Sequence, residues 1–253
     1  MLTLEDINNH VYFLFRKTQV EAMETPRLGK IHVSDLIKPC MRNVIYKKTL
    51  GDSGMDTEQL KSLYFGQLVH AHSQLAELEH HEKFLGYDYV KDKAIDLKYA
   101  QSLKEDDPKH LDIIYGSIDD VVDVKGDWVI VDKKTTGSIA YFQKYNSRVS
   151  DTHKAQINAY GALLKKCYGM TAKKGCVMYI SNSVSKEVRD RPIALSFKLN
   201  DPDKELEELI TKAKIIKDAL TNKTLPERTK NFLCDGMCPY ATSCFKDNRT
   251  KYE

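Results

Sequence analysis

No apolar run in this 253-residue chain approaches the roughly 18 to 20 residues needed to span a bilayer, and the N-terminus lacks a charged-then-apolar signal pattern. A membrane protein or a secreted one is therefore not expected, and the chain reads as soluble and cytoplasmic. Internal repeats, low-complexity tracts and long linkers are also missing, which excludes a repeat array. No G-x-x-x-x-G-K-[ST] sequence is present, so any nucleotide-driven motor would have to come from a partner. The formal net charge is only +3, too little to indicate a partner by itself. The six cysteines are too many to ignore, yet a reducing cytosol argues against a disulfide framework, which leaves metal ligands or free thiols.

What the net charge hides, its distribution shows. Between Lys133 and Lys174 stand nine basic residues (Lys133, Lys134, Lys144, Arg148, Lys154, Lys165, Lys166, Lys173, Lys174) against one acidic residue, Asp151. Tyr141, Phe142, Tyr145 and Tyr160 are interleaved with them. A cationic stripe with aromatic rings suits a polyanion whose bases stack, which is nucleic acid. A solvated lysine face accounts for the same residues equally well.

Hydrophobic periodicity predicts helices over 4–22 and 32–50, the second capped by Ser34 or Asp35, and a long helix from Thr57. Residues 87–133 read as short β-runs, with a turn at 125–127; 152–168 and 203–221 read as helices, and 175–181 and 193–199 as strands. Helices before, within and after a small sheet define an α/β or α+β domain whose strand order stays open.

The stretch GSIDDVVDVKGDWVIVDKKTTGS, residues 116–138, places Asp119, Asp132 and Lys134 in a run of β-formers. The two-residue period of a strand puts Trp128, Ile130, Asp132 and Lys134 on one face, and the hairpin returns Asp119 towards Asp132. Converging carboxylates repel unless a cation lies between them, and hard ions such as Mg²⁺ or Mn²⁺ take oxygen ligands of this kind. A lysine beside such an ion suits phosphodiester hydrolysis, because its ammonium stabilises charge developing on phosphate. Taken alone, Asp-x-Lys at a strand end is common surface chemistry.

Three further features bear on that choice. His70, in YFGQLVHAH, flanks the apolar stripe of the long helix, where a nitrogen ligand could reach a buried metal. Gln156 and Tyr160 lie four apart on one helical face, an amide and a phenol able to position phosphate, base or lysine. CDGMCPYATSC spaces Cys234, Cys238 and Cys244 as ligands for a soft metal, and Cys40 in KPCMR is available as a fourth. Cys167 and Cys176, in a helix and a strand, read as buried thiols.

In this order the motifs resemble the RecB-like nucleases of the PD-(D/E)XK superfamily, in particular the iron-sulfur branch that holds the CRISPR-associated Cas-four-type exonucleases and the AddB nuclease domain. The likeness runs from PCMRNVIY to CPYATSC. It implies a restriction-endonuclease-like α/β core, a central mixed sheet flanked by helices, over 57–222, with a helical region over 1–56 and a cysteine-rich segment over 223–253. It further implies that His70, Asp119, Asp132 and the backbone carbonyl of Lys133 bind Mg²⁺ or Mn²⁺, and that Lys134 is the catalytic lysine. Asp120 is then a neighbour of the ligand, and Gln156 and Tyr160 form the Q-x-x-x-Y element that aligns DNA. Cys40, Cys234, Cys238 and Cys244 would hold a 4Fe-4S cluster joining the two chain ends.

The implied activity is a DNA exonuclease on single strands or ends with 5′-to-3′ polarity, in CRISPR adaptation, repair or recombination. Lys144, Tyr145, Arg148 and Lys154 would touch the DNA, and CRISPR adaptation proteins or a helicase would be the partners. Two departures stand out: the cysteine triplet begins Cys-x3-Cys where Cys-x2-Cys is usual, and the first 30 residues have no counterpart. Two other classes fit part of the pattern. A catalytically silent iron-sulfur scaffold would keep the cysteines and the fold, and a zinc-stapled regulator would need the cysteines alone.

Overall fold

The computed structural model describes residues 29–50, 83–136, 148–181, 192–229, 234 and 238–246. The helices expected at 4–22 and from Thr57 lie outside the described residues, and with them His70, Lys144 and Tyr145.

Strand β1 (Ile31–His32) runs straight into a short helix α1 (Val33–Leu36), and α2 (Met41–Leu50) follows. The single helix expected over 32–50 is thus two. Pro39 has no N–H for an intrahelical bond and disfavours helical geometry at Lys38, so the helix cannot continue through it. Asp35 is not the N-cap that the sequence suggested: it sits within α1, where its Oδ2 accepts the backbone N–H of His32 at 3.0 Å. The same oxygen lies 2.9 Å from Nζ of the buried Lys48, which also donates to the carbonyl of Lys30 at 2.6 Å. A buried ammonium is costly unless paired, and this pair fastens α2 to α1.

Strands β2 (Lys83–Asp88) and β3 (Lys93–Ala94) come next, then α3 (Leu97–Ser102) and a 3₁₀ turn (Pro108–Asp112). Neither helical piece was expected in this β-like region. Each is set by a capping carboxylate: Asp96 accepts from the Tyr99 amide at 2.7 Å, and Asp107 from the Lys109 amide at 2.9 Å. Strands β4 (Ile113–Ile118), β5 (Asp120–Val124) and β6 (Asp127–Thr136) complete the stretch. The β5–β6 turn falls at Lys125 and Gly126, with φ of 57° and 85°, the two positive φ values that a tight hairpin turn requires.

Helix α4 (Asp151–Tyr168) starts at Ser150, whose hydroxyl accepts the His153 amide at 3.2 Å, and stops at Gly169 with a left-handed φ of 68°. Strands β7 (Ala172–Ser181) and β8 (Ile193–Lys198), helix α5 (Pro202–Thr221) and helix α6 (Ala241–Lys246) follow. No helix among the described residues is long and apolar enough to cross a membrane.

Among the described residues, hydrogen bonding divides the strands into two four-stranded sheets, ordered β1-β4-β2-β3 and β5-β6-β7-β8, where a central mixed sheet was expected. The pairs β1–β4 and β6–β7 are parallel and the others antiparallel. One residue, Asp119, separates β4 from β5, so the chain changes sheet at an expected site residue.

Helix α4 packs on β2 and β7 and against α5. Ile157 and Leu163 of the helix, and Ile130 and Val177 of the strands, are wholly buried, each worth roughly 2 kcal/mol of apolar transfer. Close approach needs Gly175: a Cβ there would lie 2.5 Å from Ile157 Cγ2. The helix is thereby pinned over the β6–β7 pair, with its first turn near the ends of those strands.

Candidate active site

Along β6 the residues facing α4 pass from core to solvent. Ile130 is wholly buried, Asp132 is 3% exposed, and the Lys134 side chain is 26% exposed. Lys134 Nζ lies 3.0 Å from Asp132 Oδ2, so the two project on one face, as the strand period predicts.

Asp119 is held by its own hydrogen bond, its Oδ2 accepting the backbone N–H of Lys133 at 2.7 Å. The β5–β6 register pairs Asp120 with Val131, and one further step sets Asp119 across from Asp132. Asp120 is engaged elsewhere, 2.7 Å from Lys133 Nζ. Side chains therefore alternate about the strand: Asp132 and Lys134 on the site face, Lys133 with Asp120 away from it.

Gln156 Nε2 donates to Tyr160 Oη at 2.7 Å, joining the two predicted residues along one face of α4. Tyr160 is buried, and a Cβ on Gly116 of β4 would lie 3.2 Å from its Cε1. The phenol thus rests on bare backbone two residues before Ile118.

A pair that the sequence reading passed over completes the surroundings. The parallel β6–β7 register sets Lys134 beside Tyr179 and Asp132 beside Val177. Tyr179 is 1% exposed, and its Oη lies 2.9 Å from His153 Nδ1 in the first turn of α4. Burial, and then the Lys134 cation, lower the His153 pKa to about 4, so the imidazole is neutral at physiological pH. Its sequence signal was available: His153 precedes Gln156 by three positions, which is one helical face.

The predicted cationic stripe is not free. Lys165 pairs with Asp203, Lys166 with Asp92 and Lys173 with Asp127, each at 2.7 Å. Lys133 and Lys134 are paired as described, and Lys154 lies 3.7 Å from Asp151. Acids from distant parts of the chain offset most of the local excess. Arg148, next to the start of α4, is exposed.

Elsewhere, Cys40, Cys234, Cys238 and Cys244 line one pocket, together with Asn43 and Tyr46. Asn43 Nδ2 donates to Cys238 Sγ at 3.3 Å, and Arg42 Nη1 to Cys244 Sγ at 3.9 Å. Tyr46 stacks on Tyr240 with ring centroids 5.7 Å apart, so α2 and the C-terminal segment meet around the pocket. Among the described residues no three His, Cys, Asp or Glu side chains are gathered as a single metal ion requires; His70 lies outside them. Cys167 and Cys176 are only half-buried, yet burial still raises both thiols, Cys167 to about 11.

These features define an α/β domain with paired carboxylates and a lysine at a strand end. The chain belongs to the PD-(D/E)XK nuclease superfamily, whose pattern it matches over residues 33–245. The crystal structure of SSO0001 is similar at 17% identity, covering 96% of this chain and 98% of that one, with a TM-score of 0.49. The alkaline exonuclease LHK-Exo from Laribacter hongkongensis is similar at 11% identity, covering 80% of this chain and 93% of that one, with a TM-score of 0.43. Its complex with dAMP gives 12% identity, the same coverage and the same TM-score. No curated protein matches the chain.

Proposed function

We propose that the protein is a divalent-metal-dependent deoxyribonuclease, an exonuclease acting on single-stranded DNA or DNA ends in the 5′-to-3′ direction. The observation that carries this reading is the Asp132–Lys134 pair on one face of β6, with Asp119 across the hairpin. Superfamily members generally use Mg²⁺ or Mn²⁺. Asp119 and the buried Asp132, set across the hairpin from one another by register, form an oxygen donor set that fits such an ion. Asp119, Asp132, His70 and the backbone carbonyl of Lys133 would hold it. When bound, the ion polarises a phosphoryl oxygen and acidifies a water molecule.

The chain's own residues supply the rest. Lys134, steadied by Asp132 and open to solvent, presents an ammonium to the phosphate oxygen on which negative charge develops. Gln156 and Tyr160 hold the adjoining wall of the site through their shared hydrogen bond. A P–O bond forms to the attacking water oxygen as the P–O bond to the leaving strand breaks. Arg148 and Lys154, with Lys144 and Tyr145, contribute DNA contacts.

The cysteine pocket belongs to the same reading as the seat of a 4Fe-4S cluster. Four cysteines lining one pocket are a thiolate donor set that fits a polynuclear cluster, in which each thiolate would take a separate iron. The nuclease core over 57–222 would then be braced by the pocket that joins 1–56 to 223–253. Repair, recombination or CRISPR adaptation would use such an end-processing enzyme, alongside a helicase or adaptation partners. Asp132→Ala is the test: it should abolish metal-dependent cleavage and leave the visible absorbance of the cluster intact. Cleavage at the wild-type rate would overturn the assignment.

A further inference from the structure

His153 has a donor to give and sits where a phosphate would need one. Its ring is fixed from one side by Tyr179, whose Oη lies 2.9 Å from Nδ1 and whose ring is tilted 47° to the imidazole. Burial raises the Tyr179 pKa, partly offset by Ser150, so the phenol keeps its proton. A protonated phenol 2.9 Å from Nδ1 is placed to donate to it. The neutral imidazole then carries its hydrogen on Nε2. Among the described residues Nε2 donates to nothing, and the side chain is only half-buried.

The position follows from the register. Tyr179 stands beside Lys134 across β6–β7, so the ring that it orients lies on the site face of the sheet. Gln156 occupies the same face of α4 one turn later. Lys134 is close enough for its charge to bear on the imidazole. A cation and a neutral N–H donor side by side are suited to an anionic oxygen, which each can reach without repelling the other.

We propose that His153 is a further catalytic residue, donating its Nε2–H to an oxygen of the phosphate that Lys134 faces, with Tyr179 as the positioning residue that holds its tautomer. The inference rests on the nuclease reading and names a residue outside the predicted ligand, lysine and Q-x-x-x-Y set.

The test compares His153→Ala, His153→Asn and His153→Gln in steady-state cleavage of end-labelled single-stranded DNA with Mn²⁺, alongside thermal melting. An asparagine amide occupies the place of Nδ1 and keeps a group towards Tyr179; a glutamine amide extends to the place of Nε2 and keeps the outward donor. Loss of one transition-state donor lowers kcat about a hundredfold, so H153A and H153N should both fall by that order with little change in KM. H153Q should recover to within about tenfold of wild type, and all three should melt close to wild type. A purely structural role gives the reverse order, with H153N active and H153Q impaired and less stable, and that result overturns the inference. So does an H153A variant that cuts as fast as an active wild type. A wild-type protein that does not cut at all overturns the nuclease reading itself, and this inference with it.

Discussion

Asp119 and Lys133 are joined by a 2.7 Å hydrogen bond from the Lys133 backbone amide to the Asp119 carboxylate. This contact sits where the chain leaves one sheet for the other, so main chain holds one oxygen of the carboxylate. Because Lys133 lies between Asp132 and Lys134, one bond registers Asp119 against both. The placement of Asp119 against Asp132 and Lys134 is therefore a property of the hairpin itself.

Tyr160→Phe keeps the ring over Gly116 and removes the acceptor for Gln156. The stability cost should be about 1 kcal/mol in chemical denaturation, the net worth of one hydrogen bond. Cleavage should fall as well, since Gln156 is then free to leave the site wall. An unchanged rate would remove the pair from the machinery.

The cysteines should give colour. Protein purified without oxygen should be brown and contain iron and acid-labile sulfide, and Cys40→Ala should lose both. Stoichiometric zinc in colourless protein would instead favour a staple. Asn43→Leu, which removes the donor to Cys238 Sγ, should lower the reduction potential of the cluster, because N–H···S bonds favour the more reduced and more negative state.

Neutralising paired lysines should matter little for DNA binding. Lys165→Ala, Lys166→Ala and Lys173→Ala each break an existing ion pair, and their affinities should stay within a fewfold of wild type. Arg148→Ala should weaken binding and reduce the slope of log affinity against log salt by about one, the mark of a single phosphate contact. Fluorescence anisotropy across a salt series checks both.

Gly175→Ala tests the seat of α4. Its methyl group would meet Ile157 Cγ2 at 2.5 Å and Phe197 Cζ at 2.9 Å, and overpacking of this kind costs about 1 to 3 kcal/mol. A lowered denaturation midpoint is expected, together with slower cleavage if the helix shifts away from β6.

Much of this could be read locally. The β5–β6 hairpin was legible because alternation and a Lys-Gly turn act over a few residues, and α4 and α5 were legible from period and caps. The split at Pro39 was legible in principle, since proline forbids the bond that a continuous helix needs. Helix α3 was hidden by its six-residue length, too short for a period to register. Sheet order was not available, because the parallel pairing of Trp128–Thr136 with Ala172–Ser181 depends on how α4, the helix that connects them, packs onto the sheet. The cationic stripe misled for a similar reason: Lys165 and Lys166 find Asp203 and Asp92 far along the chain. His153 escaped notice because what gives it meaning is Tyr179, twenty-six positions away.

The most direct measurement is cleavage of end-labelled single- and double-stranded DNA by anaerobically purified protein in Mn²⁺, Mg²⁺ or EDTA, beside Lys134→Ala. Metal-dependent shortening that EDTA stops and Lys134→Ala abolishes, with the end that is lost first marking the polarity, is the predicted result. DNA binding with no cutting in any metal, or equal cutting by wild type and Lys134→Ala, would contradict the account.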